Sequence, residues 1–190
     1  TLIYIIFTTV CGLALHAAGM TWLEAVVHAM STIATGGYST SDSSVGHFNN
    51  PIIETIIIFG MLFGGIPFLL FAKAIRGEPR SLFQDSQVRC YLTILMISIV
   101  LMTAWLVLSH GSPITQAVRN ASFSVISIMT GTGYTTGDYT TWGTFPIGFL
   151  FLLTFVGGCA GSTACGIKIF RFQILYKATQ SMLNRLIHPH

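Results

Sequence analysis

The sequence is short of charge. Only 8% of its 190 residues are Asp, Glu, Lys or Arg, against about 25% in an ordinary soluble domain, and this excludes a water-dissolved globule. Six acids and six histidines leave few titratable groups for a conventional acid/base enzyme. The surplus of nine Lys and Arg over six Asp and Glu is +3, too slight for a surface that grips nucleic acid or another polyanion. The four cysteines, Cys11, Cys90, Cys159 and Cys165, lie in or beside apolar runs without Cys-x-x-Cys spacing. Free thiols packed among helices are therefore expected, and a zinc or redox site is not. No basic segment precedes the first apolar run, and residue 1 is Thr. The sequence reads as part of a longer polypeptide and not as a signal peptide.

What it has is apolar length, with 52% hydrophobic residues. Four stretches suit membrane helices of about 20 residues: Thr1 to Ala18, Pro51 to Ile75, Val88 to Ser109, and Phe145 to about Tyr176 with an interruption. Two shorter helical segments, Trp22 to Ala34 and Thr115 to Met129, contain 13 and 15 residues. At 1.5 Å per residue they reach only about 20 Å. Each leads into a Gly- and Thr-rich stretch, so the spacing predicts re-entrant segments that enter as helix and return as extended chain. Such backbone is tolerated at membrane depth only where protein buries it or water reaches it. Two of these segments imply a pore or cavity. Flat interfacial helices are the alternative, and Trp22 and Trp142 suit it equally, because Trp favours the headgroup level.

The chain also repeats. Ser31 to Asp42 reads STIATGGYSTSD and Ser127 to Asp138 reads SIMTGTGYTTGD, an offset of 96. Reducing the offset by one residue brings Pro51 onto Pro146, and Lys73 and Arg76 onto Lys168 and Arg171. The unit is long helix, short helix, Gly-Tyr loop, long helix, basic end, dividing the chain into residues 1–85 and 86–190. Eight of nine basic residues, Lys73, Arg76, Arg80, Arg89, Lys168, Arg171, Lys177 and Arg185, fall on one side, which the positive-inside rule makes cytoplasmic. The loops then open outward. There Glu24, Asp42, Glu54 and Asp138 would form an electronegative mouth with Arg119 as its one cation, although singly each also suits a solvated loop acid.

A cation without its water needs oxygens at fixed spacing. Peptide carbonyls supply them where residues alternate in conformation, and glycine makes left-handed positions accessible. Thr35-Gly36-Gly37-Tyr38 and Gly131-Thr132-Gly133-Tyr134, the latter preceded by Thr130, have that composition. Threonine hydroxyls add acceptors, and the tyrosine can wedge the loop against its neighbours. The short helices aim the negative ends of their dipoles at the same place. Neither loop contains an acid, which favours a monovalent over a divalent ion.

These residues resemble the Trk/Ktr/HKT superfamily of potassium transporters, and within it the bacterial TrkH type, over nearly the whole chain. STIATGGYST is similar to the filter of the family's second unit, MTGTGYTTGD to that of the third, and FVGGCAGSTACGIKIFR to the third unit's inner helix. The ending Arg185-Leu186-Ile187-His188-Pro189 resembles the TrkH type as well. The resemblance implies an all-α integral membrane fold of two tandem helix/re-entrant pore-helix/helix units, part of a pseudo-fourfold pore whose other units lie elsewhere in the same polypeptide. It places the characteristic filter glycines at Gly37 and Gly133. Thr35, where aliphatic residues are common, and Thr132, where alanine is, depart from the pattern. The ion path would comprise Thr35, Gly36, Gly37, Tyr38, Thr130, Gly131, Thr132, Gly133 and Tyr134. An intramembrane gate would be formed by Gly157, Gly158, Ala160, Gly161, Ser162, Thr163 and Gly166. Potassium is implied as substrate, with no cofactor in the chain. Also implied are membrane lipid around a bacterial inner-membrane protein, a homodimer, and a cytosolic nucleotide-binding regulatory subunit of the TrkA kind.

Other readings compete. The small residues from Gly157 to Gly166 could pack tightly within an unbroken helix. Gly161 to Lys168 departs from a phosphate-binding loop, since Ile167 separates the last glycine from the lysine and no strand precedes it. Ser162 could be the nucleophile of an intramembrane protease with His16, His28, His47, His110, His188 or His190 as base. A neutral-solute channel with two half-helices should carry paired Asn-Pro-Ala motifs, whereas Asn50-Pro51-Ile52 occurs once.

Overall fold

The computed structural model describes residues 2–187; Thr1 and His188 to His190 lie outside the described residues, and with them the histidines and proline of the ending. The described residues form helices and no β-sheet. Helix α1 spans Leu2–Ala17 and α2 spans Trp22–Ile33, followed by a 3-10 turn at Ser44–Phe48 and by α3, Pro51–Gly64. Then come α4, Phe68–Ile75; α5, Arg80–Gln84; α6, Ser86–His110; and α7, Ile114–Thr130. A second 3-10 turn, Tyr139–Trp142, precedes α8, Thr144–Leu153, and α9, Ile169–Ile187.

Local chemistry sets the helix starts. Thr21 and Glu24 form a reciprocal capping box on α2, with the Thr21 N–H donating to Glu24 at 2.9 Å. Asn50 caps α3 by accepting from the Ile52 N–H at 2.9 Å, and its amide reaches Ala18 O at 3.2 Å. The Asn-Pro pair is thus a helix start, with Pro at the position where its missing N–H costs nothing. Asp85 caps α6 and accepts from Gln87 N at 2.8 Å.

The two short helices pack against the longer ones. Helix α1 packs on α2 and α6 on α7, while α3 touches both α2 and α7. Residues Phe123 to Ser127 of α7 are buried in succession, so every face of that helix is covered there. A helix lying flat at an interface would keep one face free, and that alternative is removed for α7.

The long helices are less continuous than their composition suggests. Among the described residues Ser86–His110 is the one unbroken helix long and apolar enough to cross a membrane, and the stretch expected as one helix from Pro51 to Ile75 bends by 94° between α3 and α4. Pro67 lacks an N–H and its ring clashes with the preceding turn. The carbonyls that the break releases are taken up elsewhere: Gly64 O accepts from Thr163 N at 3.1 Å, and Gly65 O from Cys159 N at 3.0 Å. The interruption expected at Gly157 to Gly166 is present and wider, running from the end of α8 at Leu153 to the start of α9 at Ile169. The unbroken-helix reading fails there. Gln173 of α9 donates to Ser86 O at 3.0 Å, so the basic segment of α9 and the start of α6 share one end of the molecule.

Candidate ion filter and intramembrane loop

Each short helix ends in a bend that doubles back along it. After α2, Gly36 N donates to Ser31 O at 2.7 Å and Tyr38 N to Ser31 Oγ at 2.7 Å. After α7, Gly133 N donates to Ser127 O at 3.2 Å, and the Ser127 hydroxyl to Tyr134 O at 2.7 Å. Ser31 and Ser127 are repeat equivalents, and each pins the tyrosine of its own bend.

The backbone alternates in both bends. Thr35 has φ 51° and Gly37 74°, while Gly131 has 74° and Gly133 81°; Gly36 and Thr132 between them are not left-handed. Alternation of this kind turns successive carbonyls toward one side of the chain, the arrangement a dehydrated cation requires. Thr35 holds a left-handed conformation that costs a non-glycine residue about 1–2 kcal/mol. Its hydroxyl reaches Thr163 O at 2.9 Å and Ala34 O at 2.7 Å. In the second bend the Thr130 hydroxyl lies 2.8 Å from that of Thr132.

The bends meet. The Tyr134 hydroxyl donates to Tyr38 O at 3.1 Å, Gly46 N to Thr135 O at 3.0 Å, and Thr135 N to Ser44 Oγ at 3.3 Å. A Cβ at Gly37 would stand 1.9 Å from Thr132 O, so this close approach requires glycine. His28, which sequence reasoning left unassigned to the site, is fully buried. Its Nδ1 faces Glu24 O at 2.8 Å, its Nε2 lies 3.0 Å from the Ser39 hydroxyl, and its ring stacks on Tyr134. A lone histidine in an apolar helix gives no hint of this in the sequence.

Above the bends is a polar hollow of about 300 Å³ lined by Ser43, Gly46, Thr135, Thr136, Gly137 and Asp138. The exposed Asp138 carboxyl accepts from the Thr140 hydroxyl and from Thr140 N, which hold its pKa below the usual carboxylate value. Glu54 departs from its expected place among the free mouth acids: it is buried and paired with Arg119 at 3.2 Å. One of the four expected mouth acids and the one expected cation thus neutralise each other. Among the described residues no cluster of three or more His, Cys, Asp or Glu could hold a metal ion.

Beneath the bends lies the small-residue loop. Its neck is closed by Gly157 N to Ile167 O at 2.9 Å, Ile167 N to Phe155 O at 3.0 Å and Ile169 N to Gly158 O at 3.2 Å. Its tip is bonded to the feet of both short helices. The Thr163 hydroxyl donates toward Ile33 O at 2.9 Å and Gly64 O at 3.0 Å, and Cys165 N donates to Thr130 O at 2.9 Å. The Ser162 hydroxyl donates to Cys159 O at 2.7 Å, and none of the described histidines bonds to it; His188 and His190 lie outside the described residues.

A family model described as TrkH, cation transport protein, matches residues 1–190. The chain belongs to the TrkH family. Among TrkH-family relatives, the chain is 41% identical over 187 residues to the Trk system potassium uptake protein TrkI of Halomonas elongata, covering 98% of this chain and 38% of that protein. It is 35% identical over 192 residues to TrkH of Escherichia coli K12, covering 100% of this chain and 40% of that one. The crystal structure of the potassium transporter TrkH from Vibrio parahaemolyticus superposes with a TM-score of 0.92 at 34% identity, over 99% of this chain and 41% of that chain. The chain thus spans about two fifths of the length of these TrkH-family relatives. Its all-helical fold is that of a membrane transporter, and the family is one of transporters, not enzymes.

Proposed function

We propose that the chain takes up potassium across the bacterial inner membrane as two units, residues 1–85 and 86–190, of a pore completed by further units of the same polypeptide. Potassium loses its water to carbonyls along Thr35, Gly36, Gly37 and Tyr38 on one wall, and Thr130, Gly131, Thr132, Gly133 and Tyr134 on the other. The observation that carries this reading is the alternating left-handed backbone in both bends, joined by Tyr134 to Tyr38 O. Short helices whose negative ends face the bends favour a cation, and the lack of acids within them favours a monovalent one. The relatives named as potassium uptake proteins support the choice of ion.

Gly157, Gly158, Ala160, Gly161, Ser162, Thr163 and Gly166 then form the gate, directly below the ion path. The filter bends face outward and the basic ends of α4 and α9 the cytoplasm, in keeping with the positive-inside rule. The family resemblance supports a homodimer and a TrkA-like nucleotide-binding regulator. Rubidium influx into proteoliposomes carrying the full-length protein tests the function. Gly37→Ser and Gly133→Ser are each expected to lower influx or its preference over sodium, and the reading fails if both variants keep wild-type influx and preference.

A further inference from the structure

Lys168 stands at the neck of the loop and points back at its tip. Its ammonium donates to Ala164 O and lies 3.4 Å from Ser162 O and 3.5 Å from Ser162 Oγ. Among the described residues the one ion pair is that of Glu54 with Arg119, so no carboxylate neutralises Lys168 there. An ammonium is a compact monovalent cation with three donors, and here two carbonyl oxygens and a hydroxyl oxygen of the tip face it.

We propose that Lys168 is the latch of the intramembrane loop, a tethered cation that occupies the tip's own carbonyls, holds the tip beneath the filter and repels the next ion. The neck is stapled by three backbone bonds, whereas the tip, residues 162–165, is flanked by Gly161 at φ 80° and Gly166 at φ 77°. Swinging the tip aside breaks the neutral bonds of Thr163 and Cys165 together with those of the ammonium. Bonds to a charged donor are roughly twice as strong as neutral ones, so Lys168 is the largest single restraint. Removing its charge both loosens the tip and lifts the repulsion, and the two effects act in the same direction on flux.

The inference rests on the reading of the loop as gate, and its test separates the two. Basal rubidium influx is measured for full-length protein with Lys168→Met, Lys168→Arg and a loop shortened by deletion of residues 161–163. Lys168→Met should raise influx about threefold with the rubidium-to-sodium preference unchanged, while Lys168→Arg stays near wild type because a guanidinium still donates. Labelling of Cys165 by a thiol-reactive cation should quicken in Lys168→Met, a readout that does not depend on flux. If the shortened loop raises influx and Lys168→Met changes neither influx nor labelling, the latch is refuted and the gate stands. If neither variant raises influx, both are refuted.

Discussion

The two halves of the chain are one design built twice, and they differ where each meets its neighbour. Tyr134 of the second half is buried at 2% exposure with its hydroxyl on Tyr38 O, whereas Tyr38 of the first half is 78% exposed. The space beside Gly37 is filled by Thr132 O of the other bend, while nothing lies within 4 Å of a Cβ placed on Gly133. The same peptide fold therefore presents a satisfied face and an open one. An interface that joins one face of a unit to a different face of the next is heterologous, and it repeats until a ring closes. The inner helices differ too. In the first half the break is three residues, and in the second it is a loop whose amides serve the first half's freed carbonyls.

The largest test of this asymmetry is Gly37→Ala against Gly133→Ala. The first drives a methyl to 1.9 Å from Thr132 O at φ 74°, so the full-length protein should lose folded yield or rubidium influx outright. The second meets only the strain of φ 81° within these residues; its cost beyond about 2 kcal/mol in thermal unfolding would show that another unit crowds Gly133.

Next is Gly65→Ala at the bend of the first half. Its Cβ would stand 2.2 Å from the Tyr91 hydroxyl, and overpacking of this kind costs about 1–3 kcal/mol. Tyr91→Phe alone should be neutral or stabilising in thermal unfolding, because the buried hydroxyl has no partner.

A smaller effect separates the tyrosines. Tyr134→Phe should cost about 1 kcal/mol for the bond to Tyr38 O. Tyr38→Phe should cost under about 0.5 kcal/mol if Tyr38 stays exposed. Equal losses in the full-length protein would mean that a further unit stands against Tyr38 as the first half stands against Tyr134.

The smallest effect concerns Asp138. Its folded pKa is depressed, so its contribution is present above the unfolded value near 3.9 and lost as pH falls through the lower folded value. Thermal midpoints of wild type and Asp138→Asn should therefore keep a constant gap from pH 7 to about 5 and converge below the ordinary carboxylate range.

The order of elements, both bends and the interruption before α9 are written in local pattern. Apolar run length, the doubled STIATGGYSTSD and SIMTGTGYTTGD, and the density of glycine report what a segment and its immediate neighbours must do. Glycine makes the left-handed positions at Gly37, Gly131 and Gly133 accessible, while Gly36 beside them does not take one. Contacts between distant segments are not written there, because no local preference encodes them. The break after Gly64 was hidden inside an apolar run; it persists because Cys159 and Thr163, about a hundred residues away, take its carbonyls. The left-handed Thr35, the pairing that neutralises Glu54, the burial of His28 and the aim of Lys168 were likewise decided by packing. A carbonyl, a carboxylate or an ammonium has no fixed partner until the helices that carry the partners have come together.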